Sequence, residues 1–287
     1  MAGIAYVEGR YLPQADARVH MEDRGYQFAD GVYEVIAVQA GHLVDGEGHL
    51  ARLERSLDAL GIPMPSSRKA LETVLHEVIR RNRLQFGSLY LQITRGAAPR
   101  DHIYKDGMKP VVTVAAKRVS PPSRAASLRG YSVISLPDIR WGRCDIKTVS
   151  LLPNIMGKNQ AVRAGAAEAW MYDDEGLVTE GTSSNVWIVT QKGELVTRQL
   201  DEGILAGITR NAIIAHAQKF QIKVIERAFT LEEAKGAREA FFTSATAILR
   251  PVVQIDGVRI GDGQVGPIAR RLADAYFDAL DALGTAP

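Results

Sequence analysis

The order of apolar and polar positions in the first third of the chain separates strands from helices. Gly3 to Val7 alternates loosely, Glu8-Gly9 turns, and Arg10 to Leu12 returns before Pro13, which predicts a hairpin. Arg24 to Asp30 is polar and irregular, and Val32 to Gln39 (VYEVIAVQ) reads as a strand that Ala40-Gly41 ends. Leu50, Leu53, Leu57 and Leu60 then recur at helical spacing. Ser66 to Arg83 repeats that period, with Leu71, Val74, Leu75 and Ile79 on one face. Leu89 to Thr94 and Pro110 to Ala116 are strand-like, and a long polar loop, Arg95 to Lys109, joins them.

At Val119 to Ala126 (VSPPSRAA) the composition shifts to prolines and small residues, the pattern of a linker. The expected organisation is a smaller N-terminal α+β domain, 1–118, a linker, 119–127, and a larger C-terminal domain, 128–287. The second domain is predicted to hold strands at Tyr131 to Leu136 and Asp145 to Val149, and a helix from Pro153 to Ala164 ended by Gly165. Short strands follow at Ala169 to Tyr172, Leu177 to Thr179, Asn185 to Val189 and Glu194 to Thr197. A helix over Thr209 to Phe220 precedes strands at Ile222 to Glu226, Glu239 to Thr243 and Val252 to Ile255, and Pro267 to Leu283 closes as an amphipathic helix. Many short strands with few helices predict an α+β fold with antiparallel or mixed sheets, not a doubly wound one, which needs regular strand–helix alternation.

Composition narrows the function classes. The 287 residues are 46% hydrophobic and 24% charged, with a formal net charge of +2. That is a globular composition, large enough for a full core without disulfide or metal staples. Near-neutral charge argues against nucleic acid as a partner. Cys144 is the single cysteine, which excludes a disulfide framework and a cysteine-based zinc site, and no metal is expected. No secretory signal opens the chain and no apolar run has membrane length, so the expectation is a cytoplasmic protein without a membrane partner.

Several stretches carry candidate chemistry. Gly261 to Gly266 matches G-x-G-x-x-G, but no strand with an acid follows it, so it reads as a loop. Gly207-Ile208-Thr209 opens a helix, whose unpaired amides suit a phosphate, or Thr209 simply caps it. Ser244 and Thr246 could add hydroxyls. Arg52 lies away from the centre of the leucine face, where an exposed arginine is expected, yet a guanidinium suits phosphate. Arg100 and His102, in the loop after Arg95, could grip a carboxylate together. Two lysines could carry amine chemistry. Lys158 sits in polar helical company and is expected to face solvent, whereas Lys147 sits in the apolar-flanked strand Asp145 to Val149 and is the better Schiff-base candidate. Glu180, in the turn-like Thr-Glu-Gly-Thr-Ser-Ser-Asn run, is either a turn acid or the partner of a pyridine nitrogen.

The series GYQFADGVYEV, HLARL, YLQITRG-x-x-PR-x-H, WGRCDIKTVSLLPN, VTEGTSSNVW, GITR and FFTSATAILRPV resembles the fold type IV pyridoxal-phosphate aminotransferases, in the family order, from about Asp23 to Gly266. The resemblance implies a two-domain fold, with a smaller N-terminal α/β sandwich and a larger β-barrel-like C-terminal domain that binds pyridoxal 5'-phosphate. It implies Lys147 as the Schiff-base lysine and proton shuttle, and Glu180 as the acid at the pyridine nitrogen. Arg52, Ile208, Thr209 and Ser244 match phosphate-side residues, Ala245 stands where relatives carry a threonine, and Leu205 matches a leucine packed on the ring. Tyr33 matches a pocket tyrosine. Lys158 matches no functional position. The Arg-x-His of Arg100 and His102 resembles the branch that acts on D-amino acids, where the pair binds the substrate carboxylate from the neighbouring subunit of a dimer. The expected activity is transfer of an amino group from a D-amino acid to a 2-oxo acid. Alternatives are a branched-chain L-amino-acid aminotransferase, an (R)-amine transaminase, an aminodeoxychorismate lyase, or a non-catalytic scaffold.

Overall fold

A computed structural model describes residues 3–121 and 123–283; Pro122, within the expected linker, and both chain ends lie outside the described residues. Contacts divide the chain into two compact units. One takes Met1–Pro121, Ile146–Ser150 and Ala282–Pro287, and the other Pro122–Asp145 and Leu151–Asp281.

The first unit is a six-stranded antiparallel sheet with two helices on one face. Its strands are β1 (Ile4–Val7), β2 (Arg10–Pro13), β3 (Gly31–Gln39), β4 (His42–Leu43), β5 (Phe86–Thr94) and β6 (Val111–Arg118), in the order β2-β1-β6-β5-β3-β4. Arg24–Phe28, expected to be irregular, is a short helix, α1, capped by the Asp23 carboxylate accepting from the Gly25 amide. Polar composition hides it because the cap, not an apolar face, defines so short a helix. Helices α2 (Gly46–Leu60) and α3 (Arg68–Asn82) bury the predicted leucines, among them Leu50, Leu53, Leu57, Leu71 and Leu75. These pack with Val32, Ile36, Val38, Leu89, Leu91 and Ile93 of the sheet. Side chains alternate across a strand, so Val32, Glu34, Ile36 and Val38 are buried while Tyr33, Val35 and Ala37 are less so. Tyr33 therefore lies on the sheet face opposite Glu34.

The Asp145 to Val149 strand does not form. Only Thr148 bridges, antiparallel to Val32. The segment turns and bends, with Thr148 N–H bonded back to Ile146 O (2.8 Å), and is pinned by two backbone bonds, Tyr33 N–H to Lys147 O (3.0 Å) and Val149 N–H to Gly31 O (3.1 Å), while Ile146 fills the core. The Thr148 amide is spent on this local turn, so a regular ladder with β3 does not form.

The second unit is built on a nine-stranded mixed sheet. Helix α4 (Arg124–Ser127) begins inside the expected linker, and β7 (Tyr131–Pro137) follows. Helix α5 (Leu152–Arg163) then leads to β8 (Glu168–Tyr172), β9 (Val178–Gly181), β10 (Asn185–Val189) and β11 (Leu195–Thr197). After α6 (Ile208–Lys219) come β12 (Val224–Glu226), the unanticipated short helix α7 (Leu231–Lys235), β13 (Glu239–Ser244), β14 (Ile248–Ile255), β15 (Val258–Arg259) and α8 (Pro267–Leu283). The order is β12-β11-β10-β13-β14-β7-β8-β9, with β15 beside β14. The pairs β11/β12, β14/β7 and β7/β8 are parallel and the others antiparallel, the mixed sheet that the pattern predicts. The sheet curls enough that Glu180 of β9, at one end, hydrogen-bonds Asn185 of β10 (3.1 Å). Buried Trp170, Trp187, Phe229 and Phe241 anchor its interior. Among the described residues, no helix is long and apolar enough to cross a membrane.

Candidate active site

In the first unit the reactive candidate is Lys147. Its amine donates to the Tyr33 hydroxyl at 3.3 Å and lies 4.3 Å from the centre of the Tyr33 ring. Its own amide donates to the Ser56 hydroxyl of α2 (3.2 Å). Tyr33 stacks on Tyr90 at 5.7 Å, and burial with the Tyr33 neighbour pushes the Tyr90 phenol up to about 12. Backbone and side chain of Lys147 are thus both fixed by residues distant in sequence, the preorganisation amine chemistry needs.

Arg52 is buried, contrary to the exposure its helical position suggests. The reason is Glu34, which alternation turns toward α2. Arg52 makes a two-point pair with it, Nε to Oε1 at 2.8 Å and Nη2 to Oε2 at 2.7 Å, and His49 Nδ1 lies 2.7 Å from Oε2. Burial alone would raise the Glu34 carboxyl, but the bonds from Arg52 and His49 outweigh it and hold it at about 2. A buried arginine so braced presents charge in a fixed direction.

Arg100 and His102 are exposed, and they share one support. The Arg100 guanidinium lies 4.9 Å from the Phe28 ring centre, and the His102 ring centre is 5.5 Å from it. Beneath them Arg24 donates to the carbonyls of Asp101 (2.6 Å) and His102 (3.4 Å). Arg24 and Arg95 both bond Asp30 Oδ2 at 2.8 Å. Burial would raise Asp30, but these two arginines bring it below its usual value.

In the second unit Glu180 is not in a turn. It lies in β9, buried, at the centre of a polar network. Arg140 Nη1 donates to Oε1, Asn185 Nδ2 to Oε2, and the Leu205 amide reaches both oxygens at 3.3 and 3.2 Å. Arg140 also holds Asp138 (2.9 and 2.7 Å) and the Gly203 carbonyl (3.0 Å), and Thr179 donates to Asp138 at 2.7 Å. Burial works against both charges. Arg140 and Thr179 nevertheless hold Asp138 below its usual value, and Glu180 with Asp138 raises the Arg140 guanidinium. The apolar–polar pattern places a strand at Leu177 to Thr179 but stops it short of Glu180 and Gly181, because there the side chains are buried by pairing with one another rather than by hydrophobicity.

Asn185 also donates to the Leu205 carbonyl at 2.9 Å, so one amide ties the acid to the chain entering α6. Gly207 caps α6 without a side chain, and a Cβ there would collide with Asn185 Oδ1. The amides of the first turn, around half-buried Ile208 and buried Thr209, open a helix of 12 residues, a phosphate-suited end. Ser244 ends β13, and its hydroxyl accepts from the Ala247 amide at 3.2 Å. Ala245 is half-buried in the same turn, which closes on Ile248 at φ 61. A β-branched residue in that region is strained, as backbones at binding sites often are.

The structure brings Tyr33 and Lys147 together in one unit, and Glu180 and Leu205 together in the other, beside the start of α6. Arg140, Asn185, Glu34 and His49 were not singled out from the sequence. Asn185 stands in the Thr-Glu-Gly-Thr-Ser-Ser-Asn run five residues from Glu180, and Glu34 and His49 stand in the GYQFADGVYEV and HLARL motifs, so each of these had a signal; Arg140 had none. Lys158 is not simply solvent-facing, since its ammonium donates to the Ala167 carbonyl at 2.5 Å and lies 3.5 Å from buried Glu168.

Taken unit by unit, the groups suit parts of pyridoxal phosphate: in the first an amine held beside a tyrosine, and in the second a buried carboxylate backed by an arginine and a helix start without a side-chain cap. Comparisons agree. The chain is 42% identical over 272 residues to a D-alanine aminotransferase of Bacillus licheniformis, covering 95% of each chain. It is 40% identical over 277 residues to the D-alanine aminotransferase of Listeria monocytogenes serotype 4b, covering 96% of this chain and 95% of that one. Its fold matches a T.th. branched-chain amino acid aminotransferase solved with pyridoxamine 5'-phosphate at a TM-score of 0.90 and 26% identity, over 98% and 95% of the two chains. Residues 31–255 match the family described as Amino-transferase class IV, and the chain is a member of that family.

Proposed function

We propose that the protein is a D-amino acid:2-oxo acid aminotransferase working as a cytoplasmic homodimer. Its cofactor is pyridoxal 5'-phosphate, as family membership requires. When bound, that group supplies an electron sink for the charge left on the substrate α-carbon. Lys147 would take the proton from the substrate α-carbon as base and give a proton back as acid. Tyr33 orients its amine. Glu180 serves the pyridine nitrogen, and Leu205 packs against the ring. Arg52, Ile208, Thr209, Ser244 and the backbone at Ala245 hold the phosphate. Residues 128–287 thereby form the main cofactor-binding domain after the linker at 119–127, and residues 1–118 supply the carboxylate loop. The amino group passes to a second substrate, 2-oxoglutarate or pyruvate, in a ping-pong cycle.

The observation that supports the D-specific reading is the Phe28 ring, against which both Arg100 and His102 rest while staying exposed, as a carboxylate grip would need. In the dimer this grip serves the neighbouring subunit. Exposed apolar side chains support a covering copy: Met21, Tyr26 and Ile103 near the loop, and Leu152, Ile155, Met156 and Val162 along one side of α5. The free Cys144 thiol fits a reducing compartment. The likeness to a branched-chain enzyme favours a second reading, a branched-chain L-aminotransferase. An assay of D-alanine, L-leucine and (R)-1-phenylethylamine, each with 2-oxoglutarate, tests both. Turnover of D-alanine alone supports the proposal, and turnover of L-leucine alone replaces it.

A further inference from the structure

Glu168, the first residue of β8, is almost fully buried and takes no part in the chemistry described above. Its carboxylate collects hydroxyls from three consecutive residues. Thr182 donates to Oε1, Ser183 to Oε2 at 3.3 Å, and Ser184 to Oε2 at 3.2 Å; the Ala169 amide adds a fourth bond at 3.0 Å. Lys158 of α5 brings its ammonium to 3.5 Å from Oε2. A buried carboxylate is retained only where donors replace its water, and here each donor side chain but Lys158 belongs to one turn.

That turn is the whole connection between Glu180 and Asn185. It closes on itself, Gly181 N–H to Ser184 O at 2.7 Å, and is tied to β8 by Thr182 N–H to Ala169 O at 3.1 Å. Helix α5 presses on it as well: Asn154 donates to the Thr182 carbonyl (2.9 Å), and Gly157 leaves the space into which the Thr182 methyl fits. Three hydroxyls on one carboxylate therefore fix where the chain leaves Glu180 and where it re-enters at Asn185.

We infer that Glu168 and Lys158 are a positioning pair, which sets the direction of the Glu180 carboxylate through the Thr182–Ser184 turn. The inference rests on the reading of Glu180 as the acid at the ring nitrogen. Neither residue touches the cofactor or substrate; they act through Glu180 and Asn185. A misdirected acid should weaken both cofactor retention and turnover, by about 10- to 100-fold.

The test uses the full-length, cofactor-loaded protein. Pyridoxal phosphate Kd, the visible absorbance between pH 6 and 10, and kcat and KM for D-alanine are measured for wild type, Glu168→Gln, Glu180→Gln and the double variant. Lys158→Met and Lys158→Arg form a second pair whose partly exposed position spares the fold. The expected result is a weaker Kd and a lower kcat in Glu168→Gln with KM little changed. In the Glu180→Gln background the same substitution should cost about 2-fold or less. Lys158→Met should move the same quantities in the same direction, and Lys158→Arg should restore them. A Glu168→Gln factor that multiplies unchanged onto Glu180→Gln overturns the inference, since the glutamate would then act independently of the acid. Wild-type values in both Glu168→Gln and Lys158→Met overturn it alone if Glu180→Gln is impaired. If Glu180→Gln is itself unimpaired, the inference falls together with the reading of Glu180. Should Glu168→Gln not fold, the Lys158 pair decides.

Discussion

Lys147 and Tyr33 are joined twice: the lysine amine donates to the tyrosine hydroxyl at 3.3 Å, and the lysine carbonyl accepts from the tyrosine amide at 3.0 Å. The second bond fixes where the lysine backbone lies, and the first limits where its amine can swing. Tyr33→Phe should keep the backbone bond and lose the hydroxyl. We expect kcat for D-alanine to fall about 10- to 100-fold with an unchanged melting temperature, because general-base steps of this kind depend on an oriented amine. An unaltered kcat would leave the hydroxyl without a part in the reaction.

Lys147→Ala should abolish the absorbance at ~400 nm that a pyridoxal protein of this kind carries. Lys158→Ala should retain that band. A yellow Lys147→Ala protein beside a colourless Lys158→Ala protein would reverse the assignment.

Glu34 makes a pH prediction. Its carboxyl is held at about 2 in the folded chain against an ordinary 4.5. A depressed value stabilises the fold above the ordinary pKa, and the contribution disappears as pH falls from about 4.5 toward 2. Its size is on the order of 3 kcal/mol. Glu34→Gln should cost about 3–5 kcal/mol at pH 7, because it removes the carboxylate from buried Arg52. Urea melts from pH 7 to 3 should show the two proteins converging as the solution is acidified. A constant gap across that range would contradict the coupling.

Arg100→Ala should raise KM for D-alanine about 30-fold or more, equivalent to roughly 2 kcal/mol of lost carboxylate binding. The melting temperature should not move, since the side chain is exposed and rests against the Phe28 ring. An unchanged KM would remove the loop from the substrate site.

Ile155→Glu places a charge in the exposed apolar stripe of α5. We expect sedimentation to show a dimer for the wild type and a monomer for the variant, with the Arg100-dependent activity lost in the monomer. A wild-type monomer at micromolar concentration would remove the neighbouring subunit from the proposal.

The elements that rest on apolar periodicity were legible in the sequence. The leucine faces of α2 and α3, the alternation in β3 and the hairpin of β1 and β2 stand at or within a few residues of their predicted places. What escaped were segments whose burial comes from polar pairing. Arg52 reads as a surface residue until Glu34 is turned toward it, and Glu180 reads as a turn acid until Arg140, Asn185 and Leu205 surround it. The Asp145–Val149 segment misled differently. Its apolar flanks correctly mark Lys147 as partly buried, but the partners that hold it, Gly31, Tyr33 and Ser56, lie about ninety or more positions upstream, so no local pattern could place them.

The same segment has a bearing on how the chain is assembled during synthesis. Ile146–Ser150 is carried in sequence after the second unit has begun, yet it belongs to the first. A nascent chain that has emerged only as far as residue 121 has every long strand of the first sheet but lacks Ile146 in its core and the bonds that cover Gly31 and Tyr33. Closure must wait for about thirty more residues to leave the ribosome, roughly a few seconds at ordinary elongation rates. Lys147 is thus the last part of the first unit's β3 neighbourhood to be installed, and a ribosomal pause in that interval would hold this neighbourhood open.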